Sequence, residues 1–439
     1  MTINEFRERA FCYALEQGCE AAELRRREDK NFEVNAQGGE IDRYAVSRTA
    51  SISLRVKLNG KDGFALTECI DDPEELVRRA MDNARVIECG DEHPMQGRCE
   101  YRTIERKATA LDGMDESEKI RLALQLERDT LAADACVQRV MYCEVGSEAS
   151  RIGIYNTLGL CAEREGSLGY CYTMPVVQKG EQVQNAMAFR VGDEAADTAD
   201  CAKEAVSESI ALLDGEPVTS GSYAVILRHD AMADLLHAFS PVFSADEAQK
   251  GRSLLAGKEG EAVAAPCVTI VDDPFHAYAP RAFDGEGTPS VTKNVVEDGT
   301  LKTLLHNLKT AKKAGCESTG NGLPAPGGVA PTVLYIRPGG QTLEALLADM
   351  DDGLLITQLE GLHAGLDPVS GDFSLKAAGR RIVAGRDAGA VSQITVAGNF
   401  FALLNAVEQV GADLKFALPG SVCVGSPSIR VRSLMVAGK

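Results

Sequence analysis

The stretch "NFEVNAQGGEIDRYAVSRTASISLRVKLNGKDGFALTE" (residues 31–68) decides the fold class. Apolar and polar residues alternate through it, and the alternation is interrupted at Gly38-Gly39 and at the turn dipeptide Asn59-Gly60. Alternation broken by short glycine turns is typical of antiparallel strands joined by hairpins. We therefore predict an antiparallel meander for this stretch.

Helical patterns lie beside the strand-rich stretches and do not alternate with them one by one. Asp72 is in position to cap a helix that begins at Pro73. In the second half of the chain, residues 226–239 and the segment "GNFFALLNAVEQVG" (398–411) are predicted as helices. Strands with helices inserted among them predict an α+β fold with mostly antiparallel sheets.

The length of the chain predicts more than one domain. It has 439 residues, and 44% of them are hydrophobic, which is enough to form real cores. The polar stretch "DGEPVTSGS" (214–222) contains proline and glycine and predicts a boundary. We expect an N-terminal α+β domain over residues 1–215 and a C-terminal β-rich domain over residues 222–439.

The net charge of −19 argues against direct binding of nucleic acid. The longest basic cluster is Arg25-Arg26-Arg27, and Glu28 and Asp29 follow it directly. No run of eighteen apolar residues predicts a membrane span, and the first residues lack an apolar signal core, so we expect a cytoplasmic protein. The 13 cysteines include no CxxC pair, which predicts reduced, mostly buried thiols.

The segment "ILRHDAMADLLH" (226–237) carries two histidines on a predicted helix. His229 and His237 are eight residues apart, which on a helix is about 12 Å of rise and about 80° of rotation. They cannot both bind one zinc ion, because each ligand must lie about 2 Å from it. Asp230 and Asp234 share a face, so a site of one histidine and carboxylates stays open. The alternative interpretation is an ordinary helix whose carboxylates are solvated while its apolar side chains pack.

Several separate motifs occur along the chain. They are "SRTASISLRVKLNGKDGFA" (47–65), "AFDGEGTPS" (282–290), "EDGTLKTLL" (297–305), "STGN" (318–321), "SGDFSLKAAGRRI" (370–382), "ITVAGNFFALL" (394–404) and "GSPSIRVRSLMVAG" (425–438). Together these motifs resemble the TldD/PmbA family, once called modulators of DNA gyrase. The resemblance covers most of the chain in order and implies the fold of that family.

The catalytic branch of that family carries His-Glu-x-x-x-His and a cysteine ligand near the C-terminus. The matching positions here are His229, Asp230 and Asp234, and Cys423 lies near the position of the cysteine. Aspartate reaches one methylene less far than glutamate, and misplacing a catalytic base by about 1 Å costs on the order of 100-fold. Replacing an imidazole by a carboxylate also changes the donor set that a zinc ion meets.

The resemblance therefore implies the PmbA or TldE branch, in which the subunit keeps the fold without the zinc site. It implies a TldD-type catalytic chain, or a second copy of this chain, as the partner, and an extended or unfolded peptide as the substrate. On this interpretation no cofactor is expected.

The turn "FDGEG" is the second candidate site. The resemblance places Asp284, Gly285, Glu286 and Gly287 beside the peptide channel, where the glycines would let a peptide backbone approach closely. The two carboxylates could instead form a catalytic acid–base pair, or the turn could be a rigid loop that faces a cleft.

Two other functions stay open. The chain could be a stand-alone metallopeptidase that uses a variant site of His229, Asp230 and Asp234, with His229, Asp234 and Cys423 as the zinc ligands. It could also be a binding module unrelated to proteolysis, such as a modulator of gyrase that acts by protein–protein contact.

Overall fold

The computed structural model describes residues 1–87, 93–105, 108–324, 327–420 and 422–439. The first half begins with a helix, continues with a long β-hairpin and ends with a helix that precedes the second half. Its elements are α1 (Ile3–Glu16), β1 (Ala21–Gln37), β2 (Glu40–Leu58), β3 (Lys61–Thr67), α2 (Pro73–Val86), α3 (Glu116–Ala132), β4 (Val137–Asn156), β5 (Cys161–Lys179), β6 (Gln182–Asn185), β7 (Ala188–Val191) and α4 (Thr198–Ala211).

The strands of the first half form one antiparallel sheet in the order β3-β2-β1-β4-β5-β6, and β7 pairs with β5. The turn between β1 and β2 places Gly38 and Gly39 at φ values of 68° and 81°, where a side chain would be strained. Asn59 and Gly60 make the corresponding turn between β2 and β3, with φ values of 52° and 74°. The predicted meander is therefore confirmed, turns included.

The second half contains short helices and two further sheets. Its elements are β8 (Gly221–Leu227), α5 (His229–Phe239), α6 (Ala245–Gln249), β9 (Ile270–Asp272), β10 (Lys293–Glu297), β11 (Thr300–Leu301), α7 (Leu308–Ala314), β12 (Val333–Ile336), α8 (Leu343–Met350), β13 (Gly353–Glu360), β14 (Asp372–Val383), β15 (Arg386–Asn399), α9 (Phe400–Asn405), β16 (Val407–Val410), β17 (Lys415–Phe416), β18 (Cys423–Ser426) and β19 (Ile429–Ala437).

One of these sheets has the order β11-β10-β9-β12-β18-β17, and the other has the order β15-β14-β13-β8-β19-β16. The second of them closes on itself, because β15 also pairs with β19. Two pairs are parallel, β12 with β18 and β13 with β8, and the other pairings of named strands are antiparallel. The prediction of an α+β fold with mostly antiparallel sheets is confirmed.

Helix α5 packs into the large core that the two sheets share. Met232, Leu236 and Phe239 are fully buried there, and the ring of Phe239 stacks on Phe400 at 4.5 Å between centroids. Burying side chains of this size contributes roughly 1.5–3 kcal/mol each relative to exposure. This packing holds α5, and with it the candidate site, rigidly against the sheets.

Two helix predictions need correction. The helix predicted over residues 226–239 begins at His229, three residues later than predicted. Ile226 and Leu227 are instead the buried end of β8 and pair with β13 and β19. The predicted helix over 398–411 ends at Asn405. Val407 and Val410 are instead buried in β16, paired with β19. In both places a neighbouring strand offers a backbone partner, which outweighs local helix propensity.

The start of α2 matches its prediction. Asp72 accepts a hydrogen bond from the backbone N–H of Glu75, and Pro73 is the first helical residue. Within the described residues, no helix combines the length and apolarity needed to cross a membrane.

Candidate functional site

Helix α5 presents its polar side to a cavity of about 790 Å³, which we call the α5 cavity. The helix begins at His229 because β8 ends at Leu227 and the carbonyl of the extended residue Arg228 accepts from the Met232 N–H. His229 and His237 both line the cavity, but the helix between them is unbroken. The structure therefore keeps the two imidazoles apart, as their spacing predicts.

The imidazole of His229 is fixed by a carboxylate from far along the chain. Its Nδ1 lies 3.1 Å from Oδ2 of Asp413. Asp413 also accepts from the Ser428 hydroxyl at 2.6 Å, and the backbone N–H of His229 donates to that hydroxyl at 3.1 Å. Burial raises the pKa of Asp413, but the hydrogen bonds from His229 and Ser428 outweigh it and hold the pKa at about 2. Nε2 is left as the ring nitrogen that a ligand could use.

Asp230, at the position of the catalytic glutamate in the resemblance, is bound by an arginine. Nε of Arg228 donates to both carboxylate oxygens of Asp230 at 3.0 Å, and its Nη2 contacts the same carboxylate. Arg228 also reaches Glu208 on α4, with 2.8 Å between Nη1 and Oε2. The oxygens of a carboxylate held by a guanidinium in this way are occupied by N–H donors, so they are not free to position a water molecule.

Asp234, at the position of the second histidine, also lines the α5 cavity. Its side chain is half-buried. The sequence alone did not decide whether this carboxylate is solvated. Burial and the nearby charge of Asp230 raise the pKa of Asp234 to about 6. Near neutral pH this carboxyl group is therefore only partly protonated.

Cys423 does not join these residues. It is buried on β18 and lines a different cavity, and burial raises the pKa of its thiol although Arg281 lies near. A zinc ligand must be a thiolate, which this environment disfavours. Three of the four side chains of the variant zinc site thus share the α5 cavity, and the cysteine faces elsewhere.

The turn over 284–287 is built by its own hydrogen bonds. Asp284 is buried and accepts from the backbone N–H groups of Glu286, Thr288 and Gly322 at 2.7–2.9 Å. Glu286 accepts from the N–H of Leu308, the first residue of α7, at 2.8 Å. Burial raises the pKa of Asp284 to about 6, and burial together with Asp284 raises that of Glu286 to about 8.

The two glycines of this turn allow close packing within the chain. A Cβ on Gly285 would lie 2.4 Å from the backbone nitrogen of Pro324. Gly287 has a φ of 80°, and a Cβ there would lie 2.8 Å from Leu160. None of residues 284–287 lines the α5 cavity or the cavity of Cys423. These contacts give the turn a structural role, and peptide binding by it stays a prediction.

Models of PmbA/TldA metallopeptidase domains match the chain in three consecutive pieces. Domain 1 matches residues 22–84, the central domain residues 110–213 and the C-terminal domain residues 220–438. A Thermotoga maritima structure described as a candidate modulator of a DNA gyrase is 34% identical, with a TM-score of 0.93 over 99% of this chain and 100% of that one. The chain belongs to the TldD/PmbA family. A TldE structure from Thermococcus kodakarensis shares the fold, with a TM-score of 0.90, 24% identity and coverage of 99% of this chain and 100% of the other.

A relative with a similar sequence also covers nearly the whole chain. The metalloprotease of Methanothermobacter thermautotrophicus is 26% identical over 97% of each chain. The resemblance seen in the sequence motifs is therefore confirmed at the level of the family.

The name of the family raises the question of a catalytic zinc ion, and the side chains present do not fit one. Within the described ranges, no group of three or more histidine, cysteine, aspartate or glutamate side chains is placed to hold a metal ion. A catalytic zinc site in proteins has three such ligands and a bound water. His229 has the carboxylate partner that zinc-binding histidines have, but Asp230 is bound by Arg228 and Cys423 lies elsewhere.

The α5 cavity lies between the two halves of the chain and carries an excess of carboxylates. Apolar side chains such as Met187, Phe189 and Phe416 form part of its wall. Its acidic residues are Glu194, Asp197, Asp200, Glu204, Glu208, Asp230 and Asp234, against the basic residues Arg190, Arg228 and Lys415. Ion pairs within it join Arg190 to Glu204 at 2.6 Å and Lys415 to Glu204 at 3.1 Å. A site of this kind can bind apolar and positively charged groups together.

Sequence reasoning missed the partners of the histidine and of its neighbour. Arg228 directly precedes His229 and is close to Asp230 in sequence. Its ion pair with Asp230 could have been inferred from this closeness. Asp413 and Ser428 gave no signal, because they are 184 and 199 residues from His229.

Proposed function

We propose that this chain is a non-catalytic, TldE-type subunit that binds an extended peptide in the α5 cavity for a TldD-type catalytic partner. The observation that most directly supports the proposal is the ion pair between Arg228 and Asp230. The position that would activate water in a zinc peptidase is occupied by a carboxylate already committed to an ion pair.

The shape and chemistry of the α5 cavity support the peptide part of the proposal. Its walls combine apolar side chains with carboxylates, and it opens between the two halves of the chain. An extended peptide offers apolar side chains and positive charges at intervals that such a cavity can accept. The fold likeness to TldE and the family membership support the choice of a TldD-type chain as partner.

The test is a reconstitution. The purified chain, a TldD-type chain and their mixture are incubated with an unfolded peptide, and cleavage is followed by mass spectrometry. We expect cleavage by the mixture, sensitive to a chelator, and none by this chain alone. Chelator-sensitive cleavage by this chain alone, abolished by His229→Ala, would instead establish it as a metallopeptidase.

The peptide-binding part is tested separately on this chain by equilibrium binding of a fluorescent peptide. Met187→Glu, which places a charge in the apolar wall, should weaken binding of an apolar peptide. Exposed Leu323, outside the α5 cavity, provides the matched control Leu323→Glu. Equal losses in both variants would contradict the placement of the peptide.

A further inference from the structure

A second cavity, of about 880 Å³, lies between the first sheet and the loop of residues 277–282. Residues of strands β1, β4 and β5 line it, and Cys423 lines it too. We call it the arginine cavity, after Arg27, Arg164 and Arg281. It is distinct from the α5 cavity, with which it shares Tyr278.

The sheet register directs two of these arginines to the same face. Arg27 on β1 is opposite Ile152 on β4, and Ile152 is opposite Arg164 on β5. Residues directly opposite in an antiparallel sheet point to the same side, and adjacent strands are about 4.8 Å apart. The backbones of Arg27 and Arg164 are therefore about 10 Å apart, within reach of one ligand held by two long side chains.

Two of the three arginines lack a carboxylate. Nε of Arg27 is bound by Asp29 at 2.6 Å. Nε of Arg164 is buried and has no hydrogen-bond partner, and Arg281 makes no ion pair, as far as the described residues extend. The guanidinium of Arg164 lies over the ring of Phe283, 5.6 Å from its centroid, which provides contact but no hydrogen-bond acceptor in the plane.

The carboxylates of the arginine cavity do not neutralise Arg164. Glu163 and Glu165 are paired with Arg151 at 3.4 and 3.6 Å. Glu148 is opposite Leu168, four residues along β5 from Arg164, which is about 13 Å. The remaining one, Glu105, is exposed.

The arrangement is unfavourable for the chain without a ligand. A buried donor without an acceptor costs free energy, and so does placing guanidinium groups of the same charge side by side. Burial together with Arg281, Arg25 and Arg27 lowers the pKa of Arg164 to about 9, against the opposing effect of the Asp284 carboxylate. Clusters of this kind are characteristic of sites where a ligand supplies the missing charge.

We propose that Arg164 and Arg281 bind an oxyanion, a carboxylate or a phosphate group, in the arginine cavity. The planar guanidinium matches both groups, since each presents two oxygens to its pair of N–H donors. A C-terminal carboxylate of a peptide is one source, and this source alone rests on the proposed function. A free phosphate is the other source.

Isothermal titration of the full chain distinguishes the sources. The probes are acetyl-trialanine with a free carboxylate, the same peptide as its C-terminal amide, and inorganic phosphate. Arg164→Gln and Arg281→Gln are compared with Arg102→Gln, which removes a positive charge from the same cavity at an exposed residue that contacts Phe275. Each test variant should bind roughly 10- to 100-fold more weakly than the wild type, and the control should change far less.

Binding of the free-acid peptide but not of its amide would assign the site to a peptide carboxylate, and binding of phosphate alone would assign it to phosphate. Either result supports the proposal if both test variants lose it. Wild-type affinity in Arg164→Gln and Arg281→Gln, or no binding of any probe to the wild type, would overturn it. No outcome of this titration determines whether the mixture with a TldD-type chain cleaves peptide. The two proposals can therefore fail independently. Thermal unfolding of each variant verifies that a loss of binding is not a loss of fold.

Discussion

Nδ1 of His229 lies 3.1 Å from Oδ2 of Asp413, although 184 residues separate the two along the chain. The contact joins the first residue of α5 to the segment between β16 and β17, and Ser428, directly before β19, donates a hydrogen bond to the same carboxylate. The histidine of the family motif is thus held in a fixed orientation, while the carboxylate beside it is bound by Arg228.

The low pKa of Asp413 predicts an acid-sensitive contribution to stability. Its folded pKa of about 2 is below the ordinary value of 3.8, so the contribution is complete above pH 3.8 and is lost as the pH falls through 2. Asp413→Asn should lower the free energy of unfolding near pH 7 by about 2 kcal/mol. Urea unfolding between pH 2 and 7 measures this. Asp387→Asn, at an exposed ion pair with Arg380, should change it by less than about 1 kcal/mol.

Glu286 predicts a dependence of the opposite sign. Its folded pKa of about 8 is above the ordinary value of 4.5, so the folded state binds more protons and stability falls as the pH rises from 4.5 to 8. Glu286→Gln keeps an acceptor for the Leu308 N–H and should be more stable than the wild type at pH 8, on the order of 1 kcal/mol or more. Thermal unfolding between pH 4.5 and 8 measures this, with exposed Glu317→Gln as the control. Equal changes of stability in the two variants would contradict the account.

The packing of Gly285 predicts a steric effect. A Cβ at this position meets backbone atoms of Leu323 and Pro324 at 2.4–2.5 Å, which cannot move aside as a flexible side chain can. Gly285→Ala should cost roughly 1–3 kcal/mol in unfolding free energy, measured in urea. Gly340→Ala, where nothing lies within 4 Å, should be neutral, and equal effects of the two changes would be inconsistent with the tight packing described.

Restoring the family motif predicts a gain of metal binding. The double variant Asp230→Glu with Asp234→His places glutamate and a second imidazole on α5 at the spacing of the catalytic branch. Its affinity for zinc, measured by competition with a chelating dye, should exceed that of the wild type by at least about tenfold. The two single variants serve as controls. No gain in the double variant would mean that α5 does not hold these positions in the geometry that a zinc ion requires.

The fold was predictable wherever local signals and long-range pairing agree. The turns at Gly38-Gly39 and Asn59-Gly60 require positive φ, and the cap at Asp72 satisfies a backbone N–H, so the sequence alone specifies these elements. Residues 407–410 were wrongly predicted as helix, because their pairing with β19 depends on strands that are distant in sequence.

The candidate site was predictable only in part for the same reason. The residues at 229, 230 and 234 follow from the motif, and all three line one cavity. The roles of Asp413, Ser428 and Glu208 arise from tertiary contacts that leave no local pattern. The division into domains at 214–222 and the binding of peptide by the turn over 284–287 stay predictions.

The measurement that tests the central claim most directly is the zinc content of the purified chain, by mass spectrometry after incubation with equimolar zinc and gel filtration. We expect far less than one zinc ion per chain, and no difference between the wild type and His229→Ala. One zinc ion per wild-type chain, lost in His229→Ala, would show that α5 holds a metal and would contradict the account.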